Sequence, residues 1–254
     1  MKISIITPTF NSQNTIEANI KSVIKQNFEN WEQIIIDNCS TDKTIEIIKN
    51  FNDSRISVFS ENDKGIYDAL NKGIKKSTGD IISILHSDDF YFKYNSLEIV
   101  SQNFQQYDSE IIFGDIIYLK NKNQIFRYWE SCDFKKGSFQ KGWSPPHPGF
   151  FVKKEIYMKF GYYKGELGNS ADIELMHRLL EKNKVSSKYI KKIFVAMNYG
   201  GASNKSFWGI IKQNIVILKV LEIQNKPLKI CYFIFCKFIN RINQIFKKPK
   251  KSNE

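Results

Sequence analysis

Residues 80–89 of the chain are Asp80-Ile81-Ile82-Ser83-Ile84-Leu85-His86-Ser87-Asp88-Asp89. The apolar run predicts a short strand, and two adjacent carboxyl groups follow it almost directly. Adjacent carboxylates at the end of a buried strand are costly unless positive charge lies beside them. A divalent cation that carries a phosphorylated ligand meets that need, because Mg2+ and Mn2+ prefer hard oxygen ligands. Taken alone, such a pair is more typical of a solvated turn, so the surrounding sequence has to decide.

Apolar runs alternate with helix-spaced apolar residues through the first 90 positions. The predicted strands are Lys2–Thr7, Trp31–Asp37 and Ile56–Ser60, and the predicted helices run from Ser12 or Asn14 to about Gln26, from Ser40, and from Gly65 to Lys76. Ile34-Ile35-Ile36 is too apolar for a half-exposed strand and favours a parallel strand covered on both faces. The alternation predicts an α/β domain with a mainly parallel sheet flanked by helices.

Polar residues follow three of the predicted strands. They are Pro8-Thr9-Phe10-Asn11, Asp37-Asn38-Cys39-Ser40 and Ser87-Asp88-Asp89. Because ligands of such sheets bind beyond the carboxyl ends of the strands, we expect these loops to converge on one rim and form a site there.

The chain changes character after about Phe90. The predicted features are a strand over Glu110–Leu119, an irregular segment over Arg127–Gly142, a rigid loop that enters a strand over Ser144–Phe151, and a helix over Asp172–Glu181. Dinucleotide, P-loop, zinc-protease and nucleophile-elbow motifs are all missing from the sequence. The four cysteines have no metal-site or disulfide spacing, and the amino terminus lacks the pattern of a secretory signal, so we expect a cytoplasmic protein.

The C-terminal tail, residues 205–254, is strongly basic. It holds 11 Lys/Arg and 2 Asp/Glu, in a chain whose net charge is +12. Apolar residues recur at helical spacing through the tail, Pro227 divides it into two helices, and its apolar runs are too short to span a bilayer. A basic amphipathic helix on an anionic membrane is one interpretation, and a helix packed on the domain with a solvated lysine face is the other.

Several motifs together resemble family 2 glycosyltransferases of the GT-A fold, especially bacterial enzymes that build colanic acid, O-antigen and other surface polysaccharides. The motifs are Thr7-Pro8-Thr9-Phe10-Asn11, Asp37–Thr44, Lys64–Ile74, Thr78-Gly79-Asp80, Ser87-Asp88-Asp89, Ala171–Leu179 and Tyr199-Gly200-Gly201-Ala202-Ser203. The resemblance covers about residues 1–204. It implies a GT-A domain over 1–204, with a nucleotide-binding half (1–90) and an acceptor half (91–204), followed by the helical tail.

The resemblance also implies roles for individual residues. Asp172 would be the catalytic base of an inverting transfer, with Glu174 in reserve, and Asp89 and Asp88 would hold Mn2+ or Mg2+. Asp37 would bind the uracil of a UDP-sugar donor. The residues implied in donor binding are Pro8, Thr9, Asn11, Asp37, Lys64, Gly65, Asn71, Ser87, Asp88 and His147. Taken alone, Asp37 is more typical of a helix-entry or turn residue and Asp172 of the N-terminal turn of a helix, whereas His147 is equally typical of a packed loop.

Two positions depart from the pattern of many relatives. Ser87 stands where an aspartate is common, which shortens the acidic motif, and Leu70 stands where many relatives carry an arginine that helps to hold the nucleotide. Lys64 or Lys72 would have to replace that arginine.

The resemblance implies a lipid-linked oligosaccharide as acceptor and a peripheral position on the inner face of the cytoplasmic membrane, with the tail on anionic lipid and no nucleic-acid partner. Two alternatives are open. A sugar nucleotidyltransferase would need a glycine-rich basic loop after the first strand, which Thr7–Asn11 lacks. A membrane- or nucleic-acid-binding module would use only the tail and would not need Asp88, Asp89 or Asp172.

Overall fold

A nine-stranded sheet forms the centre of the protein in the computed structural model, which describes residues 1–120, 124–198 and 207–249. The strands are β1 (Ile3–Thr9), β2 (Trp31–Asp37), β3 (Ile56–Ser60), β4 (Ile81–Ile84), β5 (Asp89–Tyr91), β6 (Ile111–Lys120), β7 (Gln124–Trp129), β8 (Phe150–Lys153) and β9 (Ser187–Asn198). The strand order is β3-β2-β1-β4-β8-β6-β9-β5, and β7 pairs with β6.

Helices cover the sheet. They are α1 (Ile16–Ile24), α2 (Thr44–Lys49), α3 (Ile66–Lys76), α4 (Ser96–Gln106), α5 (Lys154–Phe160), α6 (Ala171–His177), α7 (Phe207–Val220) and α8 (Pro227–Phe246). A π-helical turn over Arg178–Lys182 prolongs α6, in agreement with the helix predicted over Asp172–Glu181.

The parallel sheet predicted for the first half is confirmed. β3, β2, β1 and β4 are all paired in parallel, and β2 and β3 have the predicted bounds. Ile34, Ile35 and Ile36 are buried, as their apolar character requires. In the second half β4–β8, β8–β6, β6–β7 and β9–β5 are antiparallel and β6–β9 is parallel, which gives the α/β fold a mixed sheet.

Two local predictions were wrong. The first strand does not stop at Pro8 but continues to Thr9. Proline is tolerated there because β4, the neighbour on that side, ends at Ile84, so no partner needs the missing N–H. The segment from Arg127 is not irregular at its start, since Arg127 and Trp129 lie in β7, which pairs with β6.

The described part of the C-terminal tail packs on the domain. Ile217, Leu221, Ile223 and Phe233 join the same apolar core as Ile6 and Leu175. Within the described residues no helix is both long and apolar enough to cross a membrane. The predicted boundary at residue 204, and the division at residue 90, stay predictions.

Candidate functional site

The carboxyl ends of β1, β2 and β4 lie at one edge of the sheet. Thr9 is in register with Asp37, and β4 runs beside β1 up to the pair Ile6 and Ile84. The predicted convergence of the three polar loops is therefore confirmed. The hydroxyl groups of Ser12 and Ser87, from two of these loops, meet at 2.9 Å.

A buried amide network fixes the loop that carries the acids. Asn19 Nδ2 donates to the backbone carbonyls of His86 (2.8 Å) and Asp89 (2.9 Å). Gln33 Nε2 donates to Asn19 Oδ1 and to the hydroxyl of Thr7, which ties α1 to β1 and β2. Because the side chains of Asn19, Gln33 and Thr7 are buried, their hydrogen bonds hold residues 86–89 firmly at the rim.

His86, Asp88 and Asp89 form a group that fits a metal ion. One ligand atom from each lies within 4.8 Å of the others. Both carboxyl oxygens of Asp89 and Nε2 of His86 are buried, without a hydrogen-bond partner among the described residues. Burial raises the pKa of Asp89 well above its usual value and Asp88 adds to this; burial lowers the pKa of His86, which Asp88 partly opposes. A bound divalent cation would satisfy all three unpartnered atoms.

Asp37 is fully buried at the end of β2 and organises the neighbouring loops. Its carboxylate accepts hydrogen bonds from the backbone N–H (3.0 Å) and hydroxyl (2.5 Å) of Ser40, and from the hydroxyl of Ser60 (2.6 Å). Asn11 holds the same loop, because its side-chain oxygen accepts from the N–H of Thr41 at 2.9 Å. The hydrogen bonds of Asp37 to Ser40 are those of a turn residue. Uracil binding by Asp37 stays a prediction.

Thr9 and Pro8 are buried beside Asp37. The Thr9 hydroxyl has no hydrogen-bond partner among the residues described. An unpartnered hydroxyl at this rim suits a polar ligand group.

The residues at the start of α3 include several of the predicted donor-binding positions. Gly65 precedes the helix with φ of 109°, a conformation that favours glycine, and Lys64 beside it is exposed. Lys72 is already engaged by the carbonyl of Asn62 and by Glu61 and Asp68. Leu70 is fully buried in the core, so the arginine position of many relatives does not face solvent here. Of the two lysines considered, Lys64 is the freer one.

Asn71 of α3 is hydrogen-bonded to the backbone of Tyr163. Its side-chain amide donates to the carbonyl of Tyr163 (2.8 Å) and accepts from the N–H of Tyr163 (3.0 Å). The phenol of Tyr163 in turn meets Nε2 of His147 at 2.7 Å. Asn71 therefore positions Tyr163, and its predicted donor contact stays untested.

His147 is buried next to His86 and Tyr163. Its ring lies 5.9 Å from the ring of His86, centroid to centroid, and burial together with His86 lowers the pKa of His147 to about 3. At neutral pH His147 is therefore uncharged, so any contact with a diphosphate would be a neutral hydrogen bond.

Asp172 lies in the first turn of α6, next to the same aromatic group. Tyr67 and Tyr163 are 5.6 Å apart, centroid to centroid, and Asp172 acts electrostatically on both phenols. Asp172 also acts on Tyr118, which feels Asp89 as well. The tertiary fold thus links Asp172, through Tyr163 and His147, to the His86–Asp88–Asp89 group in one region, the cleft, although Asp172 comes 83 positions after Asp89 in the sequence.

Glu174 is poorly suited to act as a base. Arg178 Nε lies 3.0 Å and Lys164 Nζ 2.8 Å from its carboxylate. Burial alone would raise the pKa of Glu174, but the hydrogen bonds from Arg178 and Lys164 hold it below its usual value. Asp172, whose Oδ1 accepts a hydrogen bond from the N–H of Ile173, is the better candidate.

Sequence reasoning missed several residues of the cleft. They are Asn19, Tyr67, His86, Tyr118 and Tyr163. Tyr67 and His86 lie inside or beside the motifs and could have been identified from them. The positions of the other three are set by contacts between segments that are far apart in the sequence. The predicted closing segment Tyr199–Ser203 lies outside the described residues.

Comparison with known proteins identifies the family. The model of the family described as "Glycosyl transferase family 2" matches residues 4–157, more than half of the chain. A PGL/p-HBAD biosynthesis glycosyltransferase of Mycobacterium bovis is 26% identical over 206 residues, 79% of this chain and 78% of that protein. The UDP-Glc:alpha-D-GlcNAc-diphosphoundecaprenol beta-1,3-glucosyltransferase WfgD of Escherichia coli is 33% identical over 127 residues, 50% of each chain.

Solved structures share the fold. S. aureus TarS 1-349 in complex with UDP-GlcNAc has a TM-score of 0.69 and 19% identity, covering 96% of this chain and 73% of that one. The mannosyltransferase PcManGT from Pyrobaculum calidifontis, in complex with GDP-Man and Mn2+, has a TM-score of 0.62 and 13% identity, covering 92% and 73%. At these identities the likeness supports the GT-A fold and nothing finer.

Proposed function

The chain belongs to glycosyl transferase family 2 and is a transferase enzyme, and on that premise we propose that it moves a sugar, with inversion, from a UDP-sugar to a lipid-linked saccharide in bacterial surface-polysaccharide synthesis. The observation that carries the proposal is one cleft with two unlike acids. The Asp89 carboxyl group is buried beside His86 and Asp88, without a hydrogen-bond partner in the part of the chain that the structure describes, while Asp172 lies beside Tyr67 and Tyr163.

In the proposed reaction an acceptor hydroxyl oxygen forms a bond with the sugar C1. The bond between C1 and the phosphate oxygen breaks, and UDP leaves with the electron pair. Asp172 takes the proton of the attacking hydroxyl, and Tyr67 and Tyr163 hold the wall beside it. Attack from the side of Asp172, opposite the diphosphate, inverts the configuration at C1.

We propose that His86, Asp88 and Asp89 hold Mn2+ or Mg2+. The ion would supply charge to neutralise the diphosphate as a leaving group. Donor binding would involve Pro8, Thr9, Asn11, Asp37, Lys64, Gly65 and Ser87 at the rim. Asn71 and His147 would contribute through Tyr163 and His86, the groups that they contact.

The first test is calorimetric titration with UDP, ADP and GDP, each with Mn2+ and with chelator. We expect UDP to bind at least about tenfold more tightly than the other two, and only with metal, a difference of about 1.4 kcal/mol. Preference for GDP would overturn the UDP proposal, and binding that ignores the chelator would overturn the metal proposal. Failure of all three nucleotides would instead favour the alternative in which the basic tail forms a binding module.

The names of two relatives support the acceptor class. WfgD is named for a diphosphoundecaprenol substrate, and TuaG of Bacillus subtilis, 38% identical over 94 residues, is named a putative teichuronic acid biosynthesis glycosyltransferase. An acceptor with a polyprenyl tail lies in a membrane, so the enzyme would have to work at its surface.

The orientation of α8 supports a peripheral position at the membrane. The helix packs on the domain through Phe233 and through polar contacts of Lys237 with Asn214 and of Gln244 with Arg127. Its apolar residues face outward instead, and the most exposed are Leu228, Tyr232, Ile234, Phe235, Phe238 and Phe246, at 53–86%. The helix packs on the domain, as one of the two alternatives predicted, and the apolar stripe that it leaves uncovered among the described residues supports the other alternative, membrane binding.

We propose that this stripe and the tail lysines bind the anionic inner face of the cytoplasmic membrane. Phe235→Ser with Phe238→Ser should lower binding to phosphatidylglycerol vesicles at least about tenfold, because each change removes roughly 1.5–3 kcal/mol of apolar burial. Vesicle sedimentation measures this. Met158→Ser on α5, at a residue 69% exposed, is the matched control and should bind like wild type. Unchanged binding by the double variant would refute the anchor.

A further inference from the structure

A straight row of side chains connects the acidic cleft with α8. Asp89 on β5 is in register with Met197 on β9, Met197 with Tyr118 on β6, and Tyr118 with Arg127 on β7. Partners in register project from the same face of a sheet, so the row runs across four strands, or roughly 14 Å at the usual strand spacing. One end carries Asp89 and the other carries a cation.

Arg127 is held firmly at its end of the row. Its guanidinium carbon lies 4.6 Å from the ring centre of Tyr118 and 5.1 Å from that of Trp129. Nε donates to Gln244 Oε1 of α8 at 2.7 Å, and one terminal nitrogen donates to the same oxygen. This oxygen is neutral, so the positive charge of Arg127 is oriented but not neutralised by it.

A second cation, Arg241, lies on α8 three residues before Gln244, so it neighbours on the helix surface the residue that contacts Arg127. Burial lowers the pKa of Arg127 to about 10, Tyr118 opposes the change, and repulsion by Arg241 adds to it. Both arginines act on Tyr118, as do Asp89 and Asp172. Tyr118 therefore lies between Arg127, which contacts its ring, and Asp89, which stands two strands away in the same row.

Neither arginine has a carboxylate partner among the described residues. The neighbouring acid, Glu130, is already paired with Lys191 and Lys247. Two neighbouring positive charges repel each other when no negative charge lies beside them. An anion bound between them would relieve this repulsion.

The arginines also border the apolar stripe of α8. Arg241 lies three residues after Phe238 and four before Ile245, both exposed, so the three side chains are neighbours on the helix surface. The order along the molecule is thus apolar stripe, two arginines, Tyr118 and then the cleft with Asp172. A molecule with an apolar tail, a phosphorylated head and a terminal sugar has the same order of chemistry.

We propose that Arg127 and Arg241 bind the diphosphate that joins the lipid to the saccharide of the acceptor. This inference rests on the proposed function and adds a binding site to it. Arginine suits the task, since its planar donors grip phosphate oxygens in pairs. The diphosphate bound at Arg127 would set how far the acceptor sugar reaches toward Asp172.

The test uses farnesyl diphosphate as the probe and enzyme saturated with UDP and Mn2+, so that the donor site is already filled. Wild type should bind farnesyl diphosphate, and Arg241→Gln and Arg127→Gln should each weaken binding about tenfold, the loss of one or two charge-assisted hydrogen bonds. Lys49→Gln removes an equal charge from an exposed position on α2, outside the tail, and should change nothing. Equal binding by Arg241→Gln and wild type would overturn the proposal.

Additional ligands test whether the arginines recognise the diphosphate and whether the variants are folded. Farnesol, which lacks the diphosphate, should bind wild type and the arginine variants with equal affinity. If the variants lose as much affinity for farnesol as for farnesyl diphosphate, the effect is structural and the proposal is overturned. Inorganic pyrophosphate should bind more weakly than farnesyl diphosphate yet show the same dependence on Arg241. If Arg241→Gln loses vesicle binding but keeps farnesyl diphosphate, the pair contacts lipid headgroups and the proposal is wrong. If the wild-type enzyme does not bind UDP, the proposed function itself is refuted. If it binds UDP and both arginine variants bind farnesyl diphosphate as tightly as wild type, only this inference is refuted.

Discussion

Replacing Asp172 with asparagine is expected to lower kcat by about 10^2-fold or more while UDP affinity stays near that of wild type. The amide keeps the shape of the side chain and can still accept the local hydrogen bond from Ile173, but it cannot take a proton from the acceptor hydroxyl. Steady-state kinetics for kcat and KM, with UDP titration in parallel, measure the two effects separately.

Two controls make the result specific. Glu155→Gln, an exposed carboxyl on α5, should leave kcat unchanged. Glu174→Gln should lower the thermal midpoint, because it frees Arg178 and Lys164 from their partner, whereas Asp172→Asn should not. If Asp172→Asn loses UDP affinity and turnover to the same extent, Asp172 has a structural role and is not the base.

Replacing Asp89 with alanine is expected to abolish turnover and the metal-dependent part of UDP binding. Asp89 is the most buried member of the His86–Asp88–Asp89 group, and both of its oxygens are unpartnered among the described residues. Without it the remaining ligands would hold a divalent ion weakly, and the diphosphate would lose its counter-charge. Calorimetry with Mn2+ and product formation are the measurements, and Asp108→Ala, at an exposed acid, is the control.

Asp89→Ala is not expected to destabilise the metal-free protein at neutral pH, although it abolishes turnover. Burial raises the pKa of Asp89, so the folded state binds its proton more tightly than the unfolded state does. The favourable contribution of this group is therefore present at low pH and is lost as pH rises through the raised pKa. At neutral pH, metal-free Asp89→Ala should be at least as stable as wild type in urea unfolding. A marked loss of stability together with unchanged metal-dependent UDP binding would contradict the assignment.

Much of the structure of the first 90 residues could be predicted because the sequence signals there are local. Ile34–Ile36 is apolar enough to require cover on both faces, and β2 and β3 have the predicted bounds. The rim follows from topology alone, since parallel strands joined by helices place their carboxyl ends together. Asp37, Asp88 and Asp89 were therefore identifiable, whereas the uncharged state of His147 was not, because it depends on burial by Tyr163 and His86.

The sequence by itself determined the family, the parallel half of the sheet and the acids at its edge, because motif residues and hydrophobic periods are properties of adjacent positions. Only the tertiary structure decided which distant groups share the cleft. The row from Asp89 to Arg127 depends on strand pairings between segments far apart, and no local pattern specifies them. The tail shows the difference most clearly. The helical spacing of its apolar residues predicts an apolar stripe on α8, but only the surface against which α8 packs decides which face of the helix is covered. Here Phe233, Lys237 and Gln244 face the domain, so the apolar stripe stays outside.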